Sequence, residues 1–304
     1  MQDERIKAIL KKVRQVEVQT SRLVDDNLSG RYASVFKGRG MDFDRVRNYV
    51  SGDEIRTIDW NVTARTGSPH VKTFTEEREL TILLMVDLSA SSDFGSSPES
   101  KRELAAEVAS VLAFSAIRNQ DKVGLLLFTG DVELYVPPGK GKSHILRIVR
   151  EILFFEPQGR TTNLTAALDF ASKVLHRRAV TFLISDFCLN GDFDRELANF
   201  KRKLQTTSKR HDVITITVND AREFEMPDIG WLTVEDAETG ELVEINTRSE
   251  KMRDSYRQRA LQRRMAVRRT IRSSGVDLLE LTAGNPWMPA LMAFLKSRTR
   301  NRVA

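Results

Sequence analysis

The sequence has very little cysteine: Cys188 is the single one among 304 residues. One cysteine excludes an internal disulfide and any zinc or iron–sulfur centre built from several thiolates. The chain also lacks any run approaching the ~20 consecutive apolar residues that span a bilayer, and its first residues contain no apolar core of signal-peptide length. We therefore expect a soluble, cytoplasmic protein, with peripheral association at the inner membrane as an open alternative.

Motifs of the common nucleotide-binding and hydrolase sites are absent as well. The stretch PPGKGKSH has the wrong spacing for a G-x-x-x-x-G-K-[ST] phosphate loop, and no G-x-G-x-x-G or G-x-S-x-G occurs after the first apolar strand. The four histidines lie in no recognised motif. We expect a non-enzymatic protein without a small-molecule substrate. A metal-dependent hydrolase remains an alternative, because a bound Mg²⁺ can activate water.

Charge is mildly biased to the basic side, with a formal net charge of +6. Such an excess permits weak attraction to nucleic acid or anionic membranes but does not require it. Residues 250–272 carry nine Lys and Arg in a helical pattern, with an opposite apolar face of Met252, Tyr256, Ala260, Val267 and Ile271. We interpret this segment as the solvated outer face of a helix that covers a sheet. Binding of nucleic acid or another anionic surface is the alternative.

From residue 80 onward, near-continuous apolar strands alternate with helices. The predicted strands are 80–87, 122–128, 179–185, 212–218 and 276–282, and the predicted helices are 98–119, 142–155, 164–176, 193–207, 249–273 and 287–298. Strands of this kind are buried on both faces, which indicates an α/β fold with a mostly parallel central sheet and helices on both faces. Residues 80–304 are predicted to form this domain, with a hairpin insertion around 229–247.

The first 79 residues have a different pattern. Residues 3–28 have apolar positions at helical spacing and predict an amphipathic helix. A strand-rich segment follows, with predicted strands at 31–36, 43–50 and 70–75 and a short helical turn near Ile58 and Trp60. We expect residues 1–79 to form an N-terminal extension that packs on the α/β domain.

Acidic and hydroxyl side chains follow two of the predicted strands. Asp87 ends the first strand of the sheet and is followed by Ser89 and Ser91, and Asp186 ends the strand 179–185. Ligands in such sheets bind at the carboxyl ends of strands. A further loop offers Thr161 and Thr162 ahead of a helix. Oxygen-only donors suit a hard cation such as Mg²⁺.

This constellation resembles the metal-ion-dependent adhesion site of von Willebrand factor A domains. That site combines a D-x-S-x-S loop, a threonine ahead of a helix and an aspartate after a later strand. The resemblance implies five ligands for Mg²⁺ or Mn²⁺, with Thr162 favoured over Thr161: Asp87, Ser89, Ser91, Thr162 and Asp186. It also implies an open coordination position that an acidic residue of a protein partner fills, and hence metal-dependent protein binding.

The upstream segments GRGMDFD, Y-x-x-G-D, R-x-I-D-W and F-x-E-E-R-E resemble the signature of the domain-of-unknown-function 58 family. That resemblance implies a MoxR-type AAA+ ATPase and other von Willebrand A-domain proteins as partners, in a chaperone-like role. Within these segments, Asp53, Arg56, Asp59 and Trp60 have two open interpretations. They form a docking surface for a partner, or the charged residues form ion pairs and Trp60 fills a core.

Overall fold

The computed structural model describes residues 41–76, 79–96, 100–189, 191–235, 240 and 242–303. The predicted helix 3–28 and the predicted strand 31–36 lie outside these residues. The strands are β1 (Met41–Asn48), β2 (His70–Glu76), β3 (Thr81–Asp87), β4 (Lys122–Phe128), β5 (Val132–Gly139), β6 (Val180–Ser185), β7 (Asp212–Asn219), β8 (Trp231–Glu235), β9 (Leu242–Asn246) and β10 (Asp277–Thr282). The helices are α1 (Trp60–Thr66), α2 (Lys101–Arg118), α3 (Lys142–Phe154), α4 (Leu164–Val174), α5 (Phe193–Arg210), α6 (Glu250–Ser273) and α7 (Met288–Val303).

A six-stranded sheet with the order β10-β7-β6-β3-β4-β5 forms the centre of the fold. Its neighbouring strands are parallel, except that β5 pairs with β4 in the antiparallel sense. The chain proceeds outward from β3 to β4 and β5, then crosses back to β6 on the other side of β3. The strand order therefore reverses between the neighbouring strands β3 and β6. Such reversal points form ligand-binding crevices at the carboxyl ends of the strands.

Both faces of this sheet are buried, as the continuous apolar strands predict. Ile82, Leu84 and Val86 pack in one core with helices α2, α3 and α7. The intervening Leu83 and Met85 pack in a second core against helices α4, α5 and α6. Successive side chains of a strand point to opposite faces, so a strand between two helical layers has no polar face. The predicted α/β fold class is confirmed.

Two smaller antiparallel pairs accompany the central sheet. Strands β1 and β2 form one pair, and β8 and β9 form the other within residues 229–247. Between β1 and β2 the sequence predicts a short helical turn near Ile58 and Trp60, and the helix found there is longer than one turn. The chain forms the helix α1, because the Asp59 carboxylate accepts hydrogen bonds from the N–H groups of Asn61 and Val62 and caps its first turn. The division at residue 79 stays a prediction.

No helix in the part of the chain that the structure describes combines the length and apolarity needed to cross a membrane.

Candidate metal centre

The two predicted acidic ligands meet at the carboxyl edge of the central sheet. Asp87 is the last residue of β3, and Asp186 follows the last residue of β6. These strands are parallel neighbours with Val86 opposite Ile184, so their ends reach the same edge in register. The negative charge of Asp186 acts directly on Asp87. As predicted from the strand ends, the carboxylates of Asp87 and Asp186 lie close enough for their charges to interact.

The Asp87 carboxylate is buried and oriented by two donors. Its Oδ2 accepts a 2.6 Å hydrogen bond from the Ser185 hydroxyl, and its Oδ1 accepts a 2.9 Å bond from the N–H of Ser89. Burial and then the neighbouring Asp186 charge raise the pKa of Asp87 to about 7, against the opposing effect of these hydrogen bonds. A nearby cation would favour the ionised form of Asp87.

The serines of the D-x-S-x-S loop lie beside Asp87. Ser89 is buried, and its Oγ is 3.1 Å from the Oγ of Ser91. The chain turns here in a short 3-10 helix, Ala90–Asp93, which is closed by the Ser92 hydroxyl donating to the Ser89 carbonyl at 2.7 Å. Ser89 and Ser91 therefore present two adjacent hydroxyl oxygens, while Ser92 holds the turn.

Thr162 comes from a second loop that is joined to the first. The N–H of Ala90 donates a 2.9 Å hydrogen bond to the carbonyl of Arg160, which ties the two loops together. The Thr162 residue is only 9% exposed, and its Oγ1 has no hydrogen-bond partner among the described residues. A buried hydroxyl without a partner costs free energy, and a bound cation would satisfy this oxygen.

The loop that carries Thr162 is also anchored by the carboxylate of Glu133. Glu133 Oε1 accepts 2.7 Å hydrogen bonds from the Thr129 hydroxyl and from the N–H of Gly159. Burial raises the pKa of Glu133, and its hydrogen bonds lower it by a larger amount. The pKa therefore lies below its ordinary value. Gly159 fits because a Cβ at this position would lie 2.2 Å from Thr129 Oγ1. The position of the Thr162 loop thus depends on Thr129, Glu133 and Gly159, which are not among the proposed metal ligands.

One component of the site has no counterpart in the sequence predictions. Lys101, the first residue of α2, is fully buried, and its Nζ lies 2.6 Å from Asp186 Oδ2. The same ammonium group forms an ion pair with Glu223. Burial lowers the pKa of Lys101, but the charges of Asp186 and Glu223 outweigh it and raise the pKa above its ordinary value.

Asp220 lies beside this ion pair and was also missed. It directly follows β7, and its carboxylate accepts hydrogen bonds from the N–H and the hydroxyl of Ser96 at 2.8 and 2.5 Å. Its position after an apolar strand is the signal that identified Asp87 and Asp186, so Asp220 could have been found in the same way. Lys101 has no such signal, because a lysine after a helix cap is usually exposed.

The donor set fits a hard divalent cation. It consists of two carboxylates and three hydroxyls, all oxygen, and includes the unpartnered Thr162 Oγ1. Among the residues that the structure describes, no group of three or more His, Cys, Asp and Glu side chains is placed to hold a metal ion. A cation at this edge would therefore depend on the serine and threonine oxygens as well as on Asp87 and Asp186.

The predicted partner-binding residues lie in the segment that connects β1 to β2. Asp53 pairs with Arg47 at 2.6 Å, and Asp59 caps α1 and lies 3.5 Å from Lys72. Asp53 and Asp59 thus form the expected ion pairs, with Arg47 and Lys72 as the cations. Trp60 is 67% exposed, so its interpretation as a core residue is wrong. Arg56 is exposed as well.

The basic segment forms α6, and several of its arginines have partners within the chain. Arg264 and Arg268 pair with Glu280, and the Arg263 guanidinium lies over the Phe193 ring at 5.4 Å. The predicted apolar face is only partly correct. Val267 and Ile271 are the buried residues of the helix, whereas Met252 is exposed.

The order and direction of the strands define an α/β protein with a doubly wound, mostly parallel central sheet. The chain belongs to the family described as "Protein of unknown function DUF58", whose model matches residues 45–266. An uncharacterised protein of Mycobacterium tuberculosis is 34% identical over 294 residues, covering 96% of this chain and 90% of that protein. An uncharacterised protein of Mycobacterium avium is 36% identical over 148 residues, covering 49% and 83%.

Among solved structures, the conserved hypothetical protein BatB from Bacteroides thetaiotaomicron is 17% identical with a TM-score of 0.46. It covers 73% of this chain and 99% of its own. The SpRpn10 VWA domain is 12% identical with a TM-score of 0.39, covering 71% and 94%.

Proposed function

We propose that this protein is a non-enzymatic, metal-dependent protein-interaction module. A Mg²⁺ or Mn²⁺ ion would be held by Asp87, Ser89, Ser91, Thr162 and Asp186. The observation that supports this most is the buried Thr162 hydroxyl without a partner among the described residues, at the same edge as the carboxylates of Asp87 and Asp186. A hard cation would give the Thr162 hydroxyl oxygen a partner and would balance the negative charge of the two carboxylates.

Charge is the reason to expect binding rather than catalysis. The ligand set has two carboxylates, one of which already shares its charge with Lys101. A divalent ion with so little negative charge around it remains electrophilic and attracts a further carboxylate. We therefore propose that an acidic side chain of a protein partner completes the coordination, and that the partner is a MoxR-type AAA+ ATPase or another von Willebrand A-domain protein in an assembly pathway.

Calorimetric titration with Mg²⁺ and Mn²⁺ tests the ion site directly. We expect saturable binding to the wild type, no binding to Asp87→Ala, and unchanged binding to the control Asp194→Ala, which removes an exposed acid at the start of α5. Equal titration of wild type and Asp87→Ala would overturn the proposal.

Binding to a purified MoxR-type ATPase, measured by fluorescence anisotropy with and without EDTA, tests the partner. We expect binding that EDTA abolishes and that moderate salt changes little. A nucleic-acid ligand would show the opposite behaviour, since its affinity falls steeply with salt and does not depend on the metal. Three arginines of α6 already contact Glu280 or Phe193, so part of the basic surface is occupied within the chain. This favours the protein-binding interpretation.

A further inference from the structure

A lysine with two acidic partners is buried at the predicted metal edge. The Lys101 side chain is 0% exposed, and it reaches Asp186 and Glu223 at the same time. Burial of an ammonium group is costly unless its charge is compensated. Both carboxylates are therefore fixed by this one cation, and one of them belongs to the proposed ligand set.

Asp186 is held on both of its oxygens. Oδ2 accepts from Lys101 Nζ at 2.6 Å, and Oδ1 accepts from the N–H of Cys188 at 2.9 Å. The Asp87 oxygens are bound to Ser185 and to Ser89, whose donors carry no net charge. The two carboxylates thus differ: Asp87 accepts only from neutral donors, while Asp186 shares its charge with a fixed cation.

We infer that Lys101 is the charge-setting and positioning residue of the ion site, which limits metal affinity and keeps the bound ion short of negative charge. The inference rests on the proposed function. With Asp87, Asp186, Glu223 and the neighbouring Asp220 ionised, Lys101 leaves three uncompensated negative charges, two of which a divalent cation balances. Removal of Lys101 would leave a fourth negative charge and bind the ion more tightly. Asp220 accepts from the neutral donors of Ser96 in every variant, so it adds the same charge to each protein that is compared.

Four proteins test the charge balance: the wild type, Lys101→Met, Glu223→Gln and the double variant. Lys101→Met removes one positive charge, Glu223→Gln removes one negative charge, and the double variant restores the wild-type balance. The Mg²⁺ affinity from calorimetry should rise about tenfold or more in Lys101→Met, fall by a similar factor in Glu223→Gln, and return to near the wild-type value in the double variant. Thermal unfolding without metal shows which variants are folded.

A purely structural role for Lys101 predicts a different order. Both single variants would then weaken metal binding, and the double variant would not recover it. That result overturns the inference and leaves the proposed function intact. If the wild type binds no Mg²⁺ but Lys101→Met does, the inference is supported and the proposed resident metal is rejected. Absence of binding in all four proteins overturns both. Should Lys101→Met fail to fold, the double variant decides: an affinity near the wild-type value supports the inference, and a weakened affinity overturns it.

Discussion

The Ser185 hydroxyl donates a 2.6 Å hydrogen bond to Asp87 Oδ2 and, with the same oxygen, accepts a 2.9 Å bond from the N–H of Phe187. This serine therefore links the last residue of β3 to the turn that carries Asp186. Phe187 has φ of 56°, in the left-handed region that non-glycine residues rarely adopt. The Ser185 hydroxyl is thus a support both for Asp87 and for an unusual backbone turn.

Replacement of Ser185 by alanine should destabilise the protein by about 1–3 kcal/mol, because it leaves a buried carboxylate oxygen and a buried N–H without their partner. Urea unfolding measures the change. Ser110→Ala is the matched control, since Ser110 is also buried but its hydroxyl bonds only the Ala106 carbonyl within its own helix. Equal costs for the two variants would contradict the linking role of Ser185.

Thr162→Val separates the stability of the metal-free protein from its metal affinity. The substitution removes a buried, unpartnered hydroxyl, so the metal-free protein should be unchanged or up to about 1 kcal/mol more stable. Mg²⁺ binding should weaken by about tenfold or more. Thr181→Val is the control, because Thr181 Oγ1 is likewise buried and unpartnered but lies within β6. A loss of Mg²⁺ affinity in both variants would contradict a specific role of Thr162 as a metal ligand.

Gly159→Ala should displace the loop that carries Thr162. The new Cβ would lie 2.2 Å from Thr129 Oγ1, a distance that real Cβ atoms essentially never show. We expect a destabilisation of about 1–3 kcal/mol, seen as a lower urea midpoint, together with weaker Mg²⁺ binding. Comparison of Gly159→Ala with its parent in a Thr129→Ala background removes the clashing hydroxyl and leaves the Cβ of residue 129, 3.0 Å away. The glycine substitution should cost less there, and an undiminished cost would exclude the hydroxyl contact as the cause.

Protonation of His211 should make the protein less stable in mild acid. The residue is buried, and neither ring nitrogen has a hydrogen-bond partner in the described structure. Burial, and then the charges of Arg210 and Arg178, lower its pKa from the ordinary 6.5. The unfolded chain therefore takes up a proton below pH 6.5 that the folded chain refuses until its own, lower pKa, and stability falls as the pH falls through that interval.

The expected slope for one such proton is at most about 1.4 kcal/mol per pH unit. His211→Leu should reduce the slope of the unfolding free energy between pH 7 and 5. His176→Gln, at an exposed position, should leave the slope unchanged. The prediction fails if His211→Leu and the wild type show the same pH dependence.

The positions of Asp87 and Asp186 could be predicted because the signal is local. Each residue ends a strand with no polar face, and parallel strands bring their carboxyl ends to one edge. The choice of Thr162 over Thr161 has a structural reason, although its ligand role stays a prediction. Thr161 Oγ1 lies against Gly130, where a Cβ would be 2.4 Å away, whereas Thr162 Oγ1 is buried without a partner.

The role of Lys101 could not be predicted, because its burial depends on contacts distant in sequence. Its partners Asp186 and Glu223 lie 85 and 122 residues further along the chain. The exposure of Trp60 is a similar case, since a tryptophan beside Ile58 resembles a core position until the packing of β1, β2 and α1 is known. Local patterns specify the strands and their ends, whereas burial of a single side chain is set by tertiary packing.

The distance in sequence between Lys101 and Glu223 also has a consequence for folding during synthesis. A ribosome-bound chain that has emerged as far as Asp186, the residue after β6, already contains all five proposed ligands but not Glu223. Contacts between residues so far apart form late, because a large loop must close before they contribute. The nascent chain would therefore hold the oxygen ligands before the lysine has both of its acids. The finished ion pair marks a chain that has been synthesised past β7 and so contains five of the six strands of the central sheet.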